Sequence, residues 1–222
     1  KQKIIKKINL DEIDLKTIPN QNDIFNSKEK ILKISNLSIE ELIGREEIPA
    51  IDSLLNKHIS KKIVLVSGAG GSIGTELCRQ IIKLKPKYLI CLDNSEFALY
   101  RLIDEIEKNL TTYKPKTFSL LGSIQDKNFL KKLFKNHKID TIYHAAAYKH
   151  VPIIENNQIE GIKNNVLGTY NLTNCAIKFK VKNFILISSD KAVRPKNYMG
   201  MTKRISELIC QSLSTQNKSC CF

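Results

Sequence analysis

The chain has 222 residues, enough for one sizeable core and an appendage. Hydrophobic residues make up 42% and charged residues 26%, ordinary for a globular protein, and no apolar run reaches the roughly 18 residues of a membrane span. The formal charge of +14 raises nucleic acid as a partner, but residues 1–60 are balanced and the lysine excess over 61–222 is scattered, with no dense basic tract, interleaved aromatics or recognition helix, so nucleic acid is excluded.

That scatter reads as a lysine-rich solvated surface, with attraction of anionic phosphorylated substrates as the functional alternative. The first residue is Lys, and no charged-then-apolar leader follows, so no secretory signal is expected. Residues 1–60 are low in aromatics and broken by Pro19 and Pro49, with short amphipathic pieces over 31–34 and 39–43. They read as a connecting arm with a helix or two, and 61–222 as the main domain.

The main domain opens with a short β-branched run, Ile63, Val64, Leu65 and Val66, expected to be a buried parallel strand. Gly68, Gly71 and Gly74 follow, with Ser72 and Ile73 between them. Glycines there suit a tight turn, close approach of bare backbone to a ligand, and packing of helix on strand. Leu77, Ile81, Ile82 and Leu84 recur at helical spacing over 75–84, so a helix N-terminus points its amides at whatever the turn holds, which suits a pyrophosphate. A second apolar run over 88–92 stops at Asp93, 25 residues beyond Gly68. A carboxylate there accepts the hydrogen bonds of an adenosine ribose and repels a 2'-phosphate, pointing to NAD rather than NADP. Alone, the glycine cluster is a weak signal; flanked by strand, helix, strand and acid it is a strong one.

A helix over 95–110 follows, with Ser95 as N-cap, then a strand over 116–121 leading to Ser123 and Ile124. A helix running through Phe134, a strand over 139–144, a long helix over 156–179, a strand over 184–187 and a helix over 198–213 complete the alternation. The fold class is α/β, a doubly wound parallel Rossmann-type sheet. Cys220, Cys221 and Phe222 begin what reads as another strand, so the chain is expected to be a piece of a longer protein, cut before a sixth strand and a substrate lobe. Six cysteines without C-x-x-C pairing read as reduced residues of a cytoplasmic protein, and four histidines lack zinc-like spacing, so no metal is expected.

Ligands of such a sheet bind beyond the C-terminal strand ends, which selects two segments. In the first, His144 precedes Ala145, Ala146 and Ala147, small where a cofactor must lie close to the backbone or merely well packed, and then Tyr148, Lys149 and His150. In the second, Ser188, Ser189, Asp190 and Lys191 set hydroxyl, carboxyl and amine side by side, either a proton-transfer site or a turn with a solvated ion pair.

These residues carry a resemblance. The glycine turn with Asp93, the run Asn165-Val-Leu-Gly-Thr169, a strand ending in Ser-Ser and a helix with Lys203 resemble the extended short-chain dehydrogenase/reductases. More narrowly, GAGGSIGTELCRQI, HAAAYKHVPIIE, NNVLGTYNL and SSDKAVRPKNYMGMTKR resemble bacterial nucleotide-sugar 4,6-dehydratases acting on UDP-N-acetylglucosamine, the polysaccharide biosynthesis branch. The match covers 61–222 and takes in 39–45.

The resemblance implies NAD as cofactor, with hydride removed from C4 of the sugar, water eliminated across C5 and C6, and hydride returned to C6. It assigns Lys191 as the C5 base, Asp190 as the acid for the departing hydroxyl, Ser189 as a hydrogen bond to the C4 oxygen and Lys203 as the holder of the nicotinamide ribose. Cofactor contacts are implied at Gly68, Gly71, Ser72, Ile73, Gly74, Asp93, Ser123, Ile124, Ala145, Ala146, Ala147 and Lys203, and substrate contacts at Lys149 and Asn165. Met199 stands where the wider superfamily carries tyrosine, as in the membrane-anchored, configuration-retaining branch; this leaves the C4-hydroxyl base open between Asp190 and a water relay. The resemblance further implies a homo-oligomer held at the cytoplasmic face of the bacterial inner membrane by N-terminal helices that this sequence lacks. Its rivals are a C5-inverting dehydratase, a C4 epimerase and a non-catalytic NAD-binding module.

Overall fold

In a computed structural model of the chain, the described residues are 16–17, 35–36, 51–109, 116–216 and 220–222. The structure divides into two units, 1–50 and 51–222. In the first, β1 (Lys16–Thr17) pairs antiparallel with β2 (Ser35–Asn36). The pieces expected over 31–34 and 39–43 lie outside the described residues.

The second unit begins with α1 (Asp52–Ile59), whose Ile59 is buried, and continues as β3 (Ile63–Ser67), α2 (Ser72–Lys83), β4 (Tyr88–Asp93) and α3 (Glu96–Asn109). Next come β5 (Lys116–Leu121), α4 (Lys127–Asn136) and β6 (Thr141–His144). After α5 (Val151–Asn156) and α6 (Gln158–Gly161), a π-helical turn (Ile162–Leu167) leads into α7 (Gly168–Lys178). Then follow β7 (Asn183–Leu186), a 3-10 turn (Asp190–Ala192) and α8 (Tyr198–Gln216). The five strands pair in parallel in the order β5-β4-β3-β6-β7, the doubly wound arrangement expected. Cys221 forms a parallel bridge with Asn183 on the outer side of β7, where a sixth strand would lie.

Both faces of the sheet are covered, and the period-two pattern shows how. Leu65, Ile90, Leu92 and Ile142 pack with Leu130, Leu133, Phe134, Leu172 and Ala176 of α4 and α7. Their strand neighbours Val64, Val66, Leu89 and Cys91 point the other way, onto Cys78, Ile81, Ile82, Leu99 and Leu102 of α2 and α3. A strand buried on both faces must be apolar throughout, which is why these runs do not alternate. Each of the Val, Leu, Ile and Phe side chains among them contributes roughly 1.5–3 kcal/mol by its burial. Asp126 caps α4, its carboxylate accepting from the amides of Asn128 and Phe129, and Ser95 Oγ accepts from the Ala98 amide at 3.3 Å.

The long helix expected over 156–179 is corrected. It starts at Val151, with Pro152 in its first turn, and breaks at Asn157, whose φ of −136° and ψ of 51° are not helical. It then widens into the π turn. No described helix is long and apolar enough to cross a membrane.

Candidate active site

The turn after β3 is shaped by its glycines. Gly68 has φ +72°, in the left-handed region, and a Cβ there would lie 2.5 Å from the Ala146 nitrogen. A Cβ on Gly74 would collide with the Gly68 carbonyl, so its absence lets α2 close onto β3. Gly71 differs: a Cβ there meets only the Gly68 oxygen at 3.4 Å, and the residue lines an open cleft. It is also the N-cap of α2 and offers no side-chain hydrogen bond to the helix. The first-turn amides, those of Ser72 and Ile73 included, therefore leave the positive dipole end of α2 to an anion.

The cleft, about 280 Å³, runs from Gly68 and Gly71 past Asp93, Ser123 and Ile124 to Ala145, Ala146, Ala147 and Tyr148. Asp93 Oδ2 accepts from the Gly70 amide at 2.9 Å and Oδ1 from the Ser95 amide at 3.0 Å. Each oxygen keeps a further lone pair, so the carboxylate can still accept from a ribose.

A second cleft of about 250 Å³ shares Ala145, Ala147 and Tyr148 with the first and adds Ile73, Lys149, Ile187, Ser188, Ser189, Lys191, Met199 and Lys203. Met199 and Lys203 lie one turn apart on the same side of α8, both buried. Lys203 Nζ donates to the Ile187 carbonyl at 2.6 Å. Burial lowers its proton affinity, against the opposing pull of Glu207 and Cys210.

Ser189 Oγ donates to Asp190 Oδ1 at 3.0 Å and accepts from the Lys191 amide at 3.2 Å, while Lys191 Nζ lies 3.5 Å from Asp190 Oδ1. The Ser189 hydrogen bond, then the Lys191 charge, hold the Asp190 carboxyl below the usual carboxylate range. Lys191 lines the second cleft; Asp190, 88% exposed at its side chain, lines neither. The structure thus does not set this expected acid–amine pair jointly in the cleft.

Asn165 departs further from expectation. It is 1% exposed and lines neither cleft. Its Oδ1 accepts from the Tyr148 amide at 2.8 Å, and its Nδ2 donates to the Tyr148 carbonyl at 3.0 Å and to Thr202 Oγ1 at 2.9 Å. The side chain holds the cleft wall rather than a ligand. Ser72 and Gly74 also line neither cleft; they belong to the helix start behind it.

Beneath the cleft, His144 is buried between Ser67 and Thr169. Thr169 Oγ1 gives its proton to the Asn165 carbonyl at 2.5 Å, so His144 Nε2 is the donor in its 2.9 Å contact with Thr169, and Nδ1 accepts from Ser67 Oγ at 2.7 Å. The ring is neutral: burial, aided by Lys203, pushes its pKa down to about 3.

Sequence reasoning passed over several lining residues. Asn94, Ser95 and Gly122 directly follow strands, so the strand-end rule could have found them. Asn164 enters the first cleft from the π turn, which no periodicity announces.

A parallel sheet in this order, with a glycine turn between its first strand and helix and an acid closing the second strand, defines a dinucleotide-binding Rossmann protein. Its sequence narrows the class: residues 64–221 match the polysaccharide biosynthesis protein family, and the chain belongs to it. Capsular polysaccharide biosynthesis protein CapD of Staphylococcus aureus is 36% identical over 217 residues, 96% of this chain and 36% of that protein. A UDP-N-acetylglucosamine 4,6-dehydratase (inverting) of Campylobacter jejuni is 32% identical over 149 residues, 67% of this chain and 42% of that protein. Among solved structures, UDP-glucose 4-epimerase from Bifidobacterium longum, in complex with NAD+ and UDP, superposes with a TM-score of 0.60 at 26% identity, over 69% of this chain and 49% of that one. The chain therefore spans less than half the length of these relatives.

Proposed function

We propose that the chain is the cofactor-binding portion of an NAD-dependent UDP-N-acetylglucosamine 4,6-dehydratase, a hydro-lyase whose 4-keto-6-deoxy product enters bacterial surface glycans. The observation that carries this reading is the continuous cleft, with Asp93 and the glycine turn at one end and Lys191, Lys203 and the proton-inert Met199 at the other. NAD fits the residues present. Gly71 leaves room for a pyrophosphate where a side chain would project into the cleft, the start of α2 has no side-chain cap, and Asp93 meets a ribose. Gly68, Gly71, Ile73, Asp93, Ser123, Ile124, Ala145, Ala146, Ala147 and Lys203, which line the two clefts, would hold it, with Ser72 and Gly74 shaping the helix start behind them. When bound, NAD accepts a hydride from the sugar and gives it back.

The protein's own part is positioning and proton transfer. Lys191 Nζ takes the C5 proton, made acidic by a carbonyl at C4. Asp190 protonates the departing C6 hydroxyl, which requires its tether to Ser189 to open as the sugar enters. Ser189 then turns its hydroxyl to the C4 oxygen, and Lys149, lining the same cleft, contacts the sugar. The working protein is a homo-oligomer attached to the cytoplasmic face of the membrane through segments outside these 222 residues.

The 32% identity to an inverting dehydratase favours C5 inversion as the second reading; Met199 argues against it and against a C4 epimerase. The test is NMR of UDP-N-acetylglucosamine incubated with the intact protein in deuterated water. Deuterium at C5 of a 4-keto-6-deoxy product with retained configuration is expected. Inverted C5 selects the inverting enzyme and a C4 epimer the epimerase. Unchanged sugar despite bound NAD leaves a binding module only.

A further inference from the structure

A thioether takes no proton, so Met199 leaves the proposed reaction without an acceptor for the C4 hydroxyl proton. Among the residues lining the second cleft, the side-chain oxygens belong to Tyr148, Ser188 and Ser189. Ser188 Oγ gives its proton to Glu207 Oε1 at 2.5 Å, and Ser189 Oγ gives its own to Asp190 Oδ1 at 3.0 Å. Asp190 rests outside the cleft in an ion pair with Lys191, and the proposed reaction already uses it as the acid for the C6 hydroxyl. The Tyr148 hydroxyl has no hydrogen-bond partner among the described residues, since both bonds of this residue are made by its main chain to Asn165.

Its placement is specific. Tyr148 is 39% exposed and lines both clefts, which places the residue where they join. Its main-chain amide and carbonyl are both gripped by the buried Asn165 amide, which fixes the root of the side chain. Lys149, Lys191 and Lys203 line the same cleft.

Resting on the dehydratase reading, we propose that Tyr148 is the base for the C4 hydroxyl. Deprotonated Tyr148 forms a bond to the hydroxyl proton as the C4 O–H bond breaks; that electron pair becomes the second bond of the C4 carbonyl. The C4–H bond breaks with its electrons, a hydride that NAD held in the first cleft would take and give back at C6. As the hydride enters C6, Lys191 gives a proton back to C5; the phenol proton passes to water, and Asp190 draws one from water for the next departing hydroxyl, so the cycle closes without another oxidant or reductant.

The test is Tyr148→Phe in the intact protein, a change that removes one oxygen from a part-exposed ring. Turnover of UDP-N-acetylglucosamine is expected to fall by roughly 10²–10⁴, the range of a lost general base. Two other readouts separate this role from a structural one. Affinity for NAD, measured by calorimetry, is expected to stay as in the wild type. Exchange of the C5 proton of the 4-keto-6-deoxy product in deuterated water is also expected to persist, because that step needs Lys191 but no C4 hydroxyl, and Lys191→Met is expected to abolish it. Unimpaired turnover by Tyr148→Phe overturns the proposal, as does loss of C5 exchange or of NAD affinity along with turnover. A wild type that binds NAD yet neither converts the sugar nor exchanges C5 removes the dehydratase reading and this role with it.

Discussion

His144 sits at the end of β6 with both ring nitrogens satisfied by Ser67 and Thr169, and it stays neutral because a charged ring would lose its solvation. Its ordinary pKa is 6.5 and its folded value about 3, so between those values the unfolded chain binds the extra proton. Stability from this group is fully present above pH 6.5 and is lost as pH falls toward 3. About 2 kcal/mol should disappear between pH 6.5 and 5. Denaturant unfolding across that window measures it; His144→Asn should flatten the slope, and a slope indifferent to the substitution rules out this histidine as its source. The glycine turn yields a second prediction at the same scale. Gly71 has φ −73°, which alanine adopts freely, and room for a Cβ. Gly71→Ala is expected to keep the wild-type melting temperature and to weaken NAD binding, while Gly74→Ala, driven against the Gly68 carbonyl, loses stability by about 1–3 kcal/mol. Melting curves with and without NAD decide it, and equal destabilisation by both would dissolve the distinction between a ligand-facing and a packing glycine.

Among the elements, the β-α units from β3 to β6 were legible because buried strands announce themselves as β-branched runs and helices by their period. The segment 151–178 was not. Its apolar spacing hides the break at Asn157 and the π turn, because an extra residue per turn shifts the inward face without changing composition. That shift brings Asn164 and Asn165 to buried positions, which is why a residue expected to touch substrate grips the backbone of Tyr148. The site was legible in the same uneven way. Strand ends pointed to Ala145, Ser189 and Lys191, but nothing in the local sequence says that Asp190 faces solvent while its neighbour lines the cleft. Asn165→Ala leaves the Tyr148 amide and carbonyl without their partner and is expected to cost about 2–4 kcal/mol. Hydrogen exchange supplies the local readout: the Tyr148 amide should lose protection while the β3 amides keep theirs.

For the molecule as a whole, what matters is that the cleft spans the C-terminal edge of the sheet. Residues after β3, β4, β5, β6 and β7 all line it, and its two parts meet at Ala145, Ala147 and Tyr148. A ligand filling the first part therefore bridges the ends of β3, β4, β5 and β6, and it stabilises the fold through binding to the native state alone. At 100 times its dissociation constant, NAD should add about 2.7 kcal/mol, or roughly 5–10 °C in melting temperature for a chain of this size. NADP should add much less, because its 2'-phosphate must approach the Asp93 carboxylate, whose oxygens already take the Gly70 and Ser95 amides and offer only acceptors. Asp93→Asn removes the repelling charge and brings in donors, so the gap between the two cofactors should narrow, chiefly through weaker NAD binding. Thermal shifts of wild type and variant with each dinucleotide provide the measurement. If NADP raises the wild-type melting temperature as far as NAD does, Asp93 does not select the cofactor and the ribose end of the cleft lies elsewhere.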